Sequence, residues 1–206
     1  RGLAEEYLQL LANRSELHRT FSSVALPQGN TEVLAPPIRP VSPELLRPLL
    51  QAAREQQRLE VDYVSLNNPN REGRIIAPHT LVWTGTRWHV RGWCEKNQGF
   101  RDFVLSRFRG TPELLGPTTQ CSDDDQDWHK TIEIILKPDP RLSEEQQDVV
   151  AKDFGMNQGQ LCVIVRARLA NYLLQLLNIH TGEALYDPKA QQVIIANRAN
   201  ITAWLF

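Results

Sequence analysis

Arg87-Trp88-His89-Val90-Arg91-Gly92-Trp93-Cys94, followed after a short turn by Phe100-Arg101-Asp102-Phe103-Val104-Leu105-Ser106-Arg107-Phe108, decides how the chain reads. At the two-residue period of a strand, the first run puts Trp88, Val90, Gly92 and Cys94 on one face. Arg87, His89, Arg91 and Trp93 fall on the other. Glu95-Lys96-Asn97-Gln98-Gly99 supplies turn residues, with Gly99 free to take positive φ. Upstream, Ile75 to Trp83 reads as a third strand, which Thr84-Gly85-Thr86 turns into the second. The pattern predicts a small antiparallel β unit with one apolar face and one face rich in arginine.

Leu59-Glu60-Val61-Asp62-Tyr63-Val64 alternates as an earlier strand, with Leu59, Val61 and Tyr63 on one face. Before it, Ser42 is a natural N-cap with Pro43 at the first helical position. Leu45, Leu46, Leu49, Leu50 and Ala53 make the apolar stripe of a helix reaching about Gln57, and Pro48 is expected to distort its first turn. A helix leading into about five short strands is the order that an Sm-like (SH3-like) β-barrel requires. Trp83 and Phe103 are expected in its core.

After Ser122–Asp127, an acidic stretch, a second unit begins at Trp128. Thr131–Leu136 reads as a strand, Ser143–Gln146 as a capping box opening a helix, and Leu161–Arg168 as a strand. Ala170–Leu177 is a leucine-rich helix and Val193–Ala196 the last clear strand, which gives a small α+β unit. At the other end, Leu3, Tyr7, Leu8, Leu10 and Leu11 predict a helix over about 3–13, and residues 27–43 are proline-rich. The expected organisation is a helical connector and linker over 1–40, the β unit over 41–117, an acidic linker over 118–127 and an α+β extension over 128–206.

The 206 residues carry a formal net charge of −1, which hides an asymmetry. From Arg58 to Arg109, eight arginines and one lysine face five acids, a net of +4; from Cys121 to Gln160, ten acids face four basic residues, a net of −6. A basic domain beside an acidic one suits an anionic ligand, although charge blocks are also ordinary solvated faces. Cys94, Cys121 and Cys162 form no Cys-x-x-Cys pair, which argues for reduced thiols in a cytoplasmic protein. No apolar run is long enough for a membrane span. The chain starts at Arg1, so it is read as a fragment.

Tyr63, Ser65, His79, Arg91, Arg101 and Arg107 gather donors suited to an anion: planar guanidinium forks for phosphate or carboxylate, with directional bonds from Tyr, Ser and His. Trp88 and Trp93 add aromatic faces on which a base can stack. The alternative is a set of ordinary surface arginines and a capped histidine. Arg101 and Arg107 share the odd parity of Phe103 and Leu105, so the strand must run from core to rim or carry a bulge before Arg107. Arg74 and Arg87 read as surface or inter-strand pairs, His89 as a structural histidine, and Cys94 as a residue of the apolar face. Asp123, Asp124, Asp125, Asp127 and His129 lack the spacing of a calcium loop and read as a solvated linker. No Gly-x-Ser-x-Gly, His-Glu-x-x-His or phosphate-loop motif occurs, so no enzyme, cofactor or metal is expected.

Over about residues 41–117 the chain resembles the WYL domains, Sm-like sensor modules of bacterial transcription regulators. The family's Trp-Tyr-Leu corresponds to Trp88-His89-Val90, of which only the tryptophan is literal. Tyr63, Ser65, Arg74, Pro78-His79, Arg101, Phe103 and Arg107 carry the rest of the likeness. The wording is similar to the branch that regulates BREX-type and related phage-defence islands. The resemblance implies a sensing and dimerising region, with Tyr63, Ser65, His79, Trp88, Arg91, Arg101 and Arg107 binding a nucleotide or single-stranded nucleic acid. It also implies a homodimer that meets operator DNA through an N-terminal winged-helix domain, as a repressor of phage-defence genes with no membrane association. The second reading is a constitutive Sm-like RNA- or single-strand-binding module without a switching role.

Overall fold

Ser42 caps the first helix, α1 (Pro43–Glu55), by accepting a bond from the Leu45 N–H at 3.3 Å. The computed structural model describes Leu34, Pro37 and residues 39–182 and 187–205. The helix expected over 3–13 and most of the proline-rich linker lie outside the described residues. α1 runs unbroken through Pro48 and ends at Gln56, whose φ is 51°. Pro48 lies close enough to the helix start that only one backbone bond is lost, so the expected distortion is absent. Leu45, Leu49 and Ala52 recur at helical spacing and are buried.

Five antiparallel strands follow: β1 (Gln57–Tyr63), β2 (Glu72–Trp83), β3 (Trp88–Cys94), β4 (Gly99–Val104) and β5 (Phe108–Pro117), in sheet order β4-β3-β2-β1-β5. α1 packs on one face, and Leu45, Leu49, Leu59, Val61, Ile76, Val90, Cys94 and Phe103 fill the space between. The Cys94 thiol is buried there, as its strand parity predicts. The sequence reading expected a closed Sm-like barrel; the described strand pairs leave the sheet open between β4 and β5. The reason is local. A 3₁₀ turn, Leu105–Arg107, carries the chain from β4 to β5 without a ladder, and Tyr63, Phe103 and Phe108 fill that side with ring contacts of 5.1 to 6.2 Å.

This turn also resolves the parity conflict: the alternation stops at Val104, so Arg107 is released from the facing of Phe103 by a turn rather than a bulge. At the other hairpin end, positive φ falls on Gln98 (46°) and Gly99 begins β4. Trp83 corrects a further expectation, and Trp88 lies beside it. They are 48% and 45% exposed, their ring centroids 5.3 Å apart and their planes tilted by 43°, as the last cross-strand pair before the turn at residues 84–87. Their parity is that of the core, but they lie beyond its last layer.

A 3₁₀ turn at Ser122–Asp124 and a short helix α2 (Gln126–His129) lead into the second sheet. That sheet contains β6 (Thr131–Pro138), β7 (Leu161–Arg166) and β8 (Val193–Ile195) in order β7-β6-β8, all antiparallel. Between the strands come α3 (Glu144–Asp153), opened by the expected Ser143–Gln146 capping box, and α4 (Ala170–Leu176); α5 (Arg198–Ile201) follows β8. Ile134, Leu136, Leu142, Val150, Ala170, Leu174, Val193 and Ile201 form a second core. The fold is therefore mixed α+β and strand-rich, and both sheets belong to one contact unit from Pro40 onward. No helix among the described residues is long and apolar enough to cross a membrane.

Candidate functional site

The arginine-rich face of β3 is not open to solvent. Every residue from His89 to Gly92 is buried, because α1 and the first core cover one face and the chain after β5 covers the other. Arg91 is the largest fully buried side chain among the described residues. Its Nε donates to Asp125 Oδ2 at 2.5 Å and its Nη2 to Asp125 Oδ1 at 3.0 Å, a bidentate pair; Nη1 donates to Asp102 Oδ1 at 3.2 Å across the β3–β4 ladder.

Asp125 is 1% exposed, which corrects its assignment to a solvated acidic linker. The exposed members of that run, Asp123 and Asp124, follow the expectation, but Asp125 is drawn inward by Arg91. It also caps α2, its Oδ1 accepting from the Trp128 N–H at 3.2 Å. The third partner is His79, with Nε2 at 3.2 Å from Asp125 Oδ2 and Nδ1 at 2.8 Å from Thr80 Oγ1. His79 reaches the site because the β2–β3 register slips between Pro78 and Thr80, making it a bulge residue. Trp128 closes the site. The guanidinium groups of Arg91 and Arg166 lie 5.9 and 4.9 Å from its ring, and Arg166 Nη1 donates to its carbonyl at 2.7 Å. Beside it, His89 packs against Tyr172 of α4 at 4.9 Å and Arg168 pairs with Asp127. The cluster thus ties the first sheet to the second unit.

The charges are mutually adjusted. Burial pushes the Asp125 carboxyl up, but Arg91, His79 and the Trp128 N–H more than reverse this and hold it below the usual carboxylate range. Burial works against the Arg91 cation too, and Asp125 and Asp102 more than restore it. Asp102 moves the other way: burial raises it and Arg91 offsets only part. Burial likewise pushes the Tyr172 hydroxyl up to about 12. A buried pair of this kind fixes geometry more surely than it adds stability.

His79 gives the junction a pH dependence. Burial lowers its imidazole below the ordinary 6.5, and Asp125 restores only part. The unfolded chain therefore takes up this proton at higher pH than the folded one. The stability involved is fully present above about pH 6.5 and is lost as pH falls toward the folded value. Thermal melts from about pH 7.5 to about pH 5 should show the parent losing stability more steeply than His79→Gln. Parallel curves would remove His79 from the junction's energetics.

The sequence-selected residues do not all converge. His79 and Arg91 meet on Asp125, as above. Tyr63 is buried in the first core, its hydroxyl accepting from the Val104 N–H at 3.1 Å. Ser65 sits in the turn after β1, its Oγ accepting from the Asn68 N–H at 2.9 Å. Trp88 meets Trp83 at a tilt, whereas Trp93 packs edge-on to Phe100 at 5.3 Å. Arg101 is exposed and Arg107 half-buried, and neither guanidinium has a side-chain partner among the described residues. Sequence reasoning missed Asp125, Asp102, Trp128, Arg166 and Tyr172. One signal was available: Asp125-x-x-Trp128 is an N-cap pattern carrying an aromatic residue that a solvated linker has no reason to hold.

Comparison with known families finds two matched segments. Residues 44–111 match the WYL domain, and residues 131–201 match the BrxR transcriptional regulator, C-terminal dimerization domain. Asp125 and Trp128 lie between the two matched segments. The chain is 35% identical over 163 residues to the DNA-binding transcriptional repressor CapW of Pseudomonas aeruginosa, covering 79% of this chain and 54% of that protein. It is 33% identical over 168 residues to CapW of Escherichia coli (strain KTE188), covering 82% and 56% respectively. For CapW of Stenotrophomonas maltophilia the identity is 30% over 178 residues, covering 86% and 60%. The chain thus spans about half the length of the curated relatives it matches. Among solved structures, proteasome accessory factor B/C (PafBC) of Arthrobacter aurescens aligns over 80% of this chain and 27% of its own at 19% identity and a TM-score of 0.34, too distant to carry an argument.

Proposed function

We propose that this chain, a WYL domain joined to a BrxR-type C-terminal dimerization domain, is the sensing and dimerising part of a CapW-like repressor of phage-defence genes. In this reading the homodimer meets operator DNA through an N-terminal domain, and the WYL domain takes a single-stranded nucleic-acid ligand. The first sheet is then an Sm-like barrel whose two edges, β4 and β5, are bridged by the 3₁₀ turn. The observation that carries the reading is the Arg91–Asp125–His79 junction, which joins a cation-rich sheet to a unit matching a dimerization domain. A ligand that alters this sheet acts on the dimer through the difference in its affinity for the two arrangements.

The unpartnered cations and exposed rings support an extended ligand. Arg101 pairs with Gly92 on β3, and the buried Val90–Phe103 pair of the first core lies between it and Trp88 on that face, so the two are separate contact points of such a ligand. Arg101 and Arg107 serve as phosphate contacts and Trp88, with Trp83, as a stacking surface. Tyr63 and Ser65 hold the strand end and turn beside Arg107, whose carbonyl accepts from the Val64 N–H at 3.1 Å. His79 and Arg91 form the link to Asp125.

Arg101→Ala is expected to weaken binding of a short fluorescent single-stranded oligonucleotide by roughly 1.5–3 kcal/mol, the scale of a hydrogen bond to a charged group. The deficit should shrink as salt rises, because phosphate contacts release counterions. Unchanged anisotropy titrations at low salt for folded Arg101→Ala and Arg107→Ala would sink the nucleic-acid reading.

A further inference from the structure

We propose that the outer face of the β7-β6-β8 sheet is the apolar centre on which two copies of this chain meet, with a twofold axis crossing the strands at Ile135; this rests on the dimer reading above. The pairing fixes which side chains share that face. Ile132, Ile134 and Leu136 of β6 turn inward, opposite Val165, Val163 and Leu161 of β7. Glu133, Ile135 and Lys137 turn outward, beside Ile164 and Cys162 of β7 and Ile194 of β8. α3, α4 and α5 contribute to the inner core through Val150, Ala170, Leu174 and Ile201. On the outer side Ile164 is 75% exposed.

A sheet with one wet face ordinarily alternates apolar inside and polar outside. β7 departs from this along part of its length: its outward Arg166 is turned over the Trp128 ring at one end, which leaves only the Cys162 thiol and the Ile164 side chain outward over the rest of the strand. It is also an edge strand lacking the lysine, proline or bulge that normally protects such an edge. This face therefore fits a partner better than water.

Charge identifies the partner as a second copy. Glu133 and Lys137 flank Ile135 on the same face of β6, two residues to either side. In aligned face-to-face packing, an axis along the strands would set Glu133 against its own copy and Lys137 against its own copy, like charges in both cases. An axis across the strands at Ile135 sets Glu133 of each copy against Lys137 of the other. The second arrangement is self-complementary, and like-charge contacts across an interface disfavour the first. It also brings Cys162, which pairs with Ile135, opposite its own copy. Three strands present only about 14 Å by about 20 Å, so surrounding surface must complete an interface of ordinary size.

Sedimentation of the chain tests both levels. The parent should dimerise at micromolar concentration, and Ile164→Glu should weaken dimerisation at least tenfold with its thermal transition unchanged. Glu133→Lys and Lys137→Glu should each weaken it, and the double exchange should restore it, a rescue that a folding defect cannot mimic. A short bis-maleimide should cross-link the parent dimer and fail with Cys162→Ser. A parent dimer indifferent to Ile164→Glu and to both single charge reversals overturns this surface and leaves the dimer reading standing. A strictly monomeric parent overturns both.

Discussion

Arg91→Ala should lower the stability of the chain by about 3–5 kcal/mol, the usual cost of removing one member of a buried ion pair and leaving the other uncompensated. For a chain of this size that is a fall of roughly 6–20 °C in the thermal midpoint. The abandoned charge is Asp125, which has no route to solvent at 1% exposure and keeps only His79 and the Trp128 N–H. Its carboxyl then rises toward neutrality, so the deficit against the parent should narrow as pH falls. Asp125→Asn should cost less, because Arg91 retains Asp102 at 3.2 Å and the amide can still cap α2. In a double-mutant cycle, Arg91→Ala with Asp125→Ala should cost clearly less than the two single changes added together. Additive losses would mean that the two side chains contribute separately and that no junction exists.

Gly92→Ala should be nearly as damaging, at about 3 kcal/mol, the upper part of the overpacking range. A Cβ at this position would lie 2.4 Å from the Ala77 carbonyl oxygen and 2.7 Å from the Pro78 Cα. Both are backbone atoms, so no side-chain rotation relieves the clash and β2 itself has to move. β2 carries the bulge that presents His79, so the damage should extend to the junction. Gly99→Ala is the control, since its new Cβ would meet only the Asn97 oxygen at 3.8 Å. Denaturant unfolding of the two variants reads the contrast directly. Equal stability would show that β2 and β3 are not this close at Pro78–Gly92.

Much of this fold is legible in the sequence because it is local. Ser42-Pro43 announces α1, Ser143 and Gln146 announce α3, and the alternation through Val90 and Cys94 gives the buried face of β3. The WYL-like wording around Trp88, Arg101 and Arg107 lies in the segment that matches that domain. What stays hidden is long-range. Parity says which residues share a face but not what covers it, so Arg91 reads as a surface donor until Asp125 arrives from 34 residues away. Parity also gives no depth: Trp83 and Trp88 have core facing yet sit past the last core layer. It fails outright where the backbone stops being a strand, as at Leu105–Arg107. Whether Tyr63, Ser65, Arg101 and Arg107 serve one ligand depends on how far apart register sets them, which composition cannot reveal.

If ligand binding to the WYL sheet and self-association of the second unit are linked, the dimer dissociation constant should differ with and without a saturating short single-stranded oligonucleotide. A coupled pair of sites should shift that constant by at least about fivefold. By reciprocity, monomer and dimer should bind the oligonucleotide with affinities differing in the matching sense. A dimer dissociation constant that stays fixed while the oligonucleotide saturates the protein would show that the two sites are uncoupled.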